Sequence, residues 1–268
     1  MELPDQLFSQ DSYNPTRFTR LFAIEDRHFW FRTRNRIIST LVSQIIADFN
    51  PGYRVLEVGC GTGNVLRFLE GACPHGSVIG LDLFAQGLQY ARRRVSCSLV
   101  QADLYNLPFG KKFELIGLFD VLEHFDDDWQ VLHDLSLNLA PRGVLVLTVP
   151  AYSSLWSYHD EVAYHRRRYE LTSLEKRLSY SGYQIEYITL YMMSIFPLIW
   201  LVRRLQRLIG QRLLRENRRH HIASNELRVL PVINELLILL LDWEIQAIAC
   251  RRQLPIGTSL MAVARKAG

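Results

Sequence analysis

No C-x-x-C pair occurs among the four cysteines of this 268-residue sequence, Cys60, Cys73, Cys97 and Cys250. That spacing argues against a zinc module or a disulfide framework and suits a reducing compartment. The first residues, MELPDQLFSQ, lack the basic and apolar regions of a secretory signal. Large excess charge is missing too: at a formal +4, a nucleic-acid footprint would have to be a local patch. No clean apolar run reaches the ~20 residues of a spanning helix. Arginines interrupt 194–215, and Pro231, Asn234, Glu235, Asp242 and Glu244 interrupt 229–249. The expectation is a cytoplasmic protein, with contact to the cytoplasmic face of a membrane left open.

What is present is a chain that is 49% hydrophobic, enough for one large core or one core plus an appendage. Residues 1–31 are irregular and aromatic, ending in HFWF (28–31). Ile37, Ile38, Leu41, Val42, Ile45, Ile46 and Phe49 then recur at helical spacing until Asn50-Pro51-Gly52. Short apolar runs follow: YRVLEV (53–58), SVIGL (77–81), SLVQA (98–102), FELIGLF (113–119) and VLVLTV (144–149). Helical stretches such as FAQGLQYARRRV (84–95) and DDWQVLHDLSLNLA (127–140) separate several of them. Such runs, bounded by turns and alternating with helices, predict an α/β doubly wound domain with a parallel sheet covered on both faces. Thr172 to Glu175 has capping-box spacing, so a helix should run to Ser181-Gly182 and a strand from Tyr183 to about Leu190. Two long helices are expected in 192–250 and a last strand in GTSLMAVAR (257–265). The expected organisation is a cap segment (1–32), a main domain (33–191 plus 254–268) and a helical insert (192–253).

The chemistry begins at Val55-Leu56-Glu57-Val58-Gly59-Cys60-Gly61-Thr62-Gly63, a strand running into a glycine-rich turn that opens a helix. Glycines there let the backbone approach a ligand at the carboxyl ends of parallel strands. A dinucleotide fingerprint would place its third glycine one residue later. Asp82 ends the second apolar run and Asp103 follows the third, where carboxylates can take ribose hydroxyls and an exocyclic amine. Together these features resemble the class I S-adenosylmethionine-dependent methyltransferases, over roughly residues 33–190 and the last strand. The resemblance implies a seven-stranded Rossmann-like sheet with S-adenosylmethionine as cofactor. It implies that Glu57, Gly59, Cys60, Gly61 and Gly63 hold the methionine part, Asp82 with Leu83 the ribose, and Asp103 with Leu104 the adenine. Asp120 and Val121 would face the methionine end, with His124 nearby. The (D/N/S)-P-P-(Y/F) tetrapeptide of DNA base amino-methyltransferases is absent, since Asp120-Val121-Leu122-Glu123 stands after the fourth strand.

Acceptor groups are expected from the segments that overhang the sheet. His28, Trp30 and Arg34 come from the first. Tyr152, Trp156 and HDEVAYHRRRYE (159–170) come from the loop after the fifth strand. Arg167 and Arg168 can grip a carboxylate or phosphate, with Tyr169 and Asp160 orienting it. His159 and His165, joined by His124, are the candidate catalytic histidines, their protons moving near neutral pH. His159, Asp160 and His165 are also metal-ligand types, but no metal is expected, and a merely solvated loop remains open. In the insert, Ile195, Leu198, Val202, Leu205, Ile209 and Leu213 share one helical face opposite Arg203, Arg204, Arg207 and Arg215. Lid, homodimer surface and membrane-surface contact through 194–221 are the three readings of that pattern. The expected function is methyl transfer to a small or lipid-like acceptor bearing a polar or anionic group. The alternative is a non-catalytic scaffold that binds a membrane or partner protein, and nucleic acid is disfavoured.

Overall fold

The computed structural model describes residues 17–208 and 229–267. Its centre is a seven-stranded sheet in the order β3-β2-β1-β4-β5-β7-β6. The strands are β1 (Arg54–Val58), β2 (Ser77–Asp82), β3 (Ser98–Gln101), β4 (Phe113–Phe119), β5 (Leu139–Pro150), β6 (Tyr183–Tyr191) and β7 (Ser259–Lys266). β7 runs antiparallel between β5 and β6, and the other neighbours pair in parallel. The fold is the Rossmann-like α/β class expected from the sequence. Strand order reverses between β1 and β4, the switch point at which open α/β sheets bind ligands beyond the strand carboxyl ends.

Helices cover both faces because the central strands are apolar on both sides: Val55, Leu56, Leu115 and Ile116 are all fully buried. One core gathers Ile37, Ile38 and Leu41 of α2 (Phe29–Ile46), Leu66 and Leu69 of α3 (Leu66–Ala72) and Leu241 and Ile245 of the long helix near the carboxyl end. The other gathers Val131, Leu132 and Leu135 of α5 (Asp128–Asn138) with Leu174 and Leu178 of α7 (Leu171–Tyr180). Between these lie α4 (Ala85–Ala91) and the short α6 (Tyr158–Val162), the latter capped by Ser157 and Asp160 in a reciprocal capping box.

Two elements overhang the switch point. The first is α1 (Arg17–Ile24), whose Phe18 lies against the glycine turn and α4, 6.0 Å from the Phe84 ring. Buried Arg94 clamps the end of α1, donating to Glu25 at 2.6 Å, to the Phe22 carbonyl at 2.9 Å and to the Thr62 hydroxyl at 2.7 Å. The second is the helix pair α8 (Phe196–Leu208) and α9 (Pro231–Ala249). α9 packs along α2 through Arg32–Glu235 at 2.7 Å, an Arg36–Asp242 pair and a Gln44 to Ala249 carbonyl bond at 2.9 Å. Its buried Asn234 accepts from the Phe29 amide at 2.7 Å and donates to the Arg27 carbonyl at 2.8 Å, joining insert to cap. His28, the N-cap of α2, accepts from the Trp30 amide. The aromatic HFWF stretch is thus the start of a core helix. Ile209, Leu213, Arg215 and the rest of 209–221 lie outside the described residues.

Candidate active site

The glycine turn needs its glycines for two separate reasons. Gly59, Gly61 and Gly63 have φ of +72°, +51° and +75°, a left-handed backbone that side chains resist. A Cβ on Gly63 would also sit 3.0 Å from the backbone of Ala91, where α4 cannot yield. Gly63→Ala should therefore combine ~1–2 kcal/mol of backbone strain with overpacking of ~1–3 kcal/mol. Thermal unfolding at a lower temperature and weakened S-adenosylhomocysteine binding would report it together.

The turn is also shaped from β2. Buried Asp82 accepts from the Gly61 amide at 2.7 Å and from the Phe84 amide at 2.8 Å, one bond to each carboxylate oxygen. Each oxygen keeps a further lone pair for a ligand. Burial pushes its carboxyl up to about 6 against the pull of those two bonds. Glu57 is buried as well, and its Oε2 has no hydrogen-bond partner. Burial drives its pKa well above the ordinary range, opposed by the charge of Arg34. An orphaned carboxyl of this kind suits a cationic ligand group, because an unpaired buried acceptor is costly to keep. Asp103 accepts from the Tyr105 amide at 3.0 Å and turns the chain at the end of β3, with Leu104 buried beside it. Asp120 ends β4 in a left-handed conformation, φ 54°, and pairs with buried Arg34 of α2, whose guanidinium lies 4.8 Å from the Trp30 ring.

All of this opens into one cavity of ≈ 1010 Å³, at the upper end of ordinary ligand sites. Of the residues expected at the cofactor, Glu57, Gly59, Gly61, Asp82, Leu83, Asp103, Leu104, Asp120 and Val121 line it. Cys60 and Gly63 are not among the lining residues. Cys60 packs in the core, and Gly63 turns the chain against α4. Of the residues expected toward the acceptor, His28, Trp30, Arg34, His124, His159, His165 and Arg168 line the same cavity, and so do Phe18, Phe29, Ile195, Ile199 and Leu237.

HDEVAYHRRRYE divides sharply. Asp160, fully buried, is its hub: Oδ1 receives His165 Nδ1 at 3.0 Å and Arg168 Nε at 2.8 Å, and Oδ2 receives the Ser157 amide at 2.9 Å. Burial opposes charge on Asp160, but His165 and Arg168 hold its carboxyl well below the usual carboxylate range. Asp160 fixes the orientation of the His165 ring through Nδ1 and turns Nε2 toward Glu123. His159 and His124 are pushed down to about 3, chiefly by burial and then by His165, and stay neutral. Arg167 and Tyr169 turn the other way. Both bind Asp128 of α5, at 3.1 and 2.8 Å, where Arg177 joins them at 2.6 Å. Tyr152 places its ring 5.6 Å from Phe196, and neither it nor Trp156 lines the cavity.

Glu123 went unnoticed in the sequence. It is fully buried, lines the cavity, and neither carboxyl oxygen has a hydrogen-bond partner. Burial, then the charge of Asp120, pushes its pKa well up. Its Oε1 lies 3.8 Å from His165 Nε2. The only sequence signal was a glutamate inside the apolar stretch FDVLEHF.

Comparison with known proteins agrees with this geometry. A family model described as a methyltransferase domain matches residues 29–188. A demethylmenaquinone methyltransferase of Thermotoga maritima is 32% identical over 108 residues, 40% of this chain and 47% of that one. A malonyl-[acyl-carrier protein] O-methyltransferase of Enterobacter lignolyticus is 33% identical over 135 residues, 47% of this chain and 53% of that one. The chain thus spans about half the length of these curated relatives. A solved plantazolicin methyltransferase in complex with SAH (S-adenosylhomocysteine) shares the fold over 94% of this chain and 90% of that one, at 16% identity and TM-score 0.57. Glycine turn, acidic strand ends, sheet order and family match coincide, and the chain belongs to the class I S-adenosylmethionine-dependent methyltransferase family.

Proposed function

We propose that this chain transfers a methyl group from S-adenosylmethionine to a small or lipid-like acceptor, and that the acceptor's polar group sits at His165 and Glu123. One observation carries the reading: a single cavity joins the glycine turn and its acidic partners to the buried histidine cluster and to an apolar wall from α2, α8 and α9. Glu57 would meet the ammonium of the methionine part, Asp82 the ribose and Asp103 with Leu104 the adenine. The residues present fit that group, since Glu57 has an orphaned oxygen and Asp82 has spare lone pairs. When bound, the cofactor supplies a methyl group made electrophilic by its sulfonium.

The rest falls to the protein. Phe18, Phe29 and Trp30 exclude water above the cavity. His165 Nε2, oriented by the bond of Nδ1 to Asp160, takes the proton of an oxygen or nitrogen acceptor. Protonated Glu123 donates a hydrogen bond to the acceptor's other polar atom, and Arg168 balances an anionic group. The names of the relatives, demethylmenaquinone and malonyl-[acyl-carrier protein] methyltransferases, support an acceptor outside nucleic acid. The protein would work in the cytoplasm or at its membrane face.

Calorimetry with S-adenosylhomocysteine tests the cofactor half. Binding in the ~1 μM to ~1 mM range is expected, and absence of binding returns the chain to a scaffold role. Affinity should hold at neutral pH and fall ~tenfold per unit below about 6, as Asp82 gains a proton and loses an acceptor site. A flat profile from pH 8 to 5 would remove Asp82 from ligand binding.

A further inference from the structure

The helices α8 and α9 carry an outward apolar face in addition to the one they bury. On a helix resting on a soluble core, polar residues face water and apolar ones face inward. Here Arg203, Asn234 and Glu244 are buried at 8%, 4% and 0% exposure, while Leu198, Val232 and Leu239 are exposed at 58%, 75% and 67%. Arg203, on the helical face opposite Leu198 and Val202, lines the cavity. Glu244 receives the amides of Met193 and Ser194 at 3.0 and 2.8 Å, so its burial is built into the entry to α8. The outward face is continued by Leu201, Leu205, Leu236 and Leu240 and carries two half-exposed tryptophans, Trp200 and Trp243. Large exposed apolar side chains gathered on two helices mark an interaction site, and tryptophan favours the level of lipid headgroups.

We propose that this outward face of α8 and α9 docks on an anionic lipid bilayer and that the cavity opens to the bilayer through it. Charge selects the occupant. Residues 209–228, which join the two helices in sequence, carry five arginines (Arg212, Arg215, Arg218, Arg219 and Arg228) against two glutamates (Glu216 and Glu226). A second copy carries the same excess of positive charge in this stretch of sequence, whereas anionic headgroups neutralise it. No helix among the described residues is long and apolar enough to cross a membrane, so the contact is interfacial. Leu198 and Val202 belong both to the exposed face and to the cavity wall. They form a lip across which an apolar acceptor would pass without entering water. Docking stands apart from methyl transfer, and only this passage rests on the proposed function.

The test is sedimentation of the full chain with phosphatidylglycerol-containing vesicles, compared with pure phosphatidylcholine vesicles. Paired measurements are light scattering for mass and calorimetry with S-adenosylhomocysteine. The expected result is a monomer that sediments with the anionic vesicles, less so at high salt. In the Leu236→Glu, Leu239→Glu double variant, vesicle binding should fall at least ~tenfold while S-adenosylhomocysteine affinity is kept, showing an intact fold. Soluble wild-type protein, or a variant that sediments like wild type, overturns the proposal. A wild-type dimer that the variant dissociates overturns it in favour of a protomer interface. Loss of S-adenosylhomocysteine binding by wild type would count against the methyltransferase reading alone.

Discussion

Replacing His165 by alanine is expected to slow methyl transfer by ~10²–10⁴-fold, the usual contribution of a positioned general base, with S-adenosylhomocysteine binding unchanged. His165 earns this role by connection. Its Nδ1 is fixed on Asp160 at 3.0 Å, so its Nε2 has one orientation, inside the cavity and 3.8 Å from Glu123 Oε1. His159 and His124 share the cavity but are neutral and pushed to about 3 by burial, too weakly basic to hold a proton at neutral pH. The measurement is transfer of labelled methyl from S-adenosylmethionine to organic-extractable material in a total bacterial lipid extract. Added imidazole should restore part of the rate in His165→Ala. An unchanged rate, or an equal loss in His159→Ala alone, would take the proton transfer away from His165.

The division between what could be read from the sequence and what could not follows the physics of each signal. Glu57, Asp82 and Asp103 were legible because parallel strands put their carboxyl ends at one edge of the sheet, so position along the chain already gives position in the site. Periodicity likewise grouped Leu198, Val202 and Leu205 on one face of α8. It could not say that this face would point outward, since the spacing of apolar residues is the same whether they meet a core or a membrane. Arg203, grouped by the same spacing on the opposite face, is buried. The fate of HDEVAYHRRRYE depended on partners far away in sequence. Arg168 and His165 found Asp160 within the segment, whereas Arg167 and Tyr169 found Asp128 on α5. Adjacent arginines in an extended segment point to opposite sides, so no common ligand for the pair was available.

Asp128 is where the largest loss of stability is expected. It is buried, and its Oδ2 alone receives Tyr169, Arg167 and Arg177. Asp128→Ala would leave two guanidinium groups facing each other and a buried hydroxyl without its acceptor. Breaking a fully buried pair costs ~3–5 kcal/mol. The arginines are each about a third exposed, so solvent screening lowers the expected loss to ~2–4 kcal/mol. At ~2–4 °C per kcal/mol for a chain of this size, the midpoint of thermal unfolding should fall by ~4–16 °C. Tyr169→Phe removes one hydrogen bond to a charged acceptor and should cost ~1.5–3 kcal/mol. Neither change should alter S-adenosylhomocysteine affinity or the acceptor KM, because Asp128 and Tyr169 bind each other on the far side of the segment from the cavity. Arg168→Ala should make the opposite pattern, raising the acceptor KM, since Arg168 lines the cavity proposed for the acceptor. If Tyr169→Phe instead keeps its unfolding midpoint and raises the acceptor KM, Tyr169 faces substrate and the partition of the arginines between fold and site is wrong. The ion cluster on Asp128 thus anchors Arg167 and Tyr169 to α5, while Asp160 independently holds His165 and Arg168 toward the cavity.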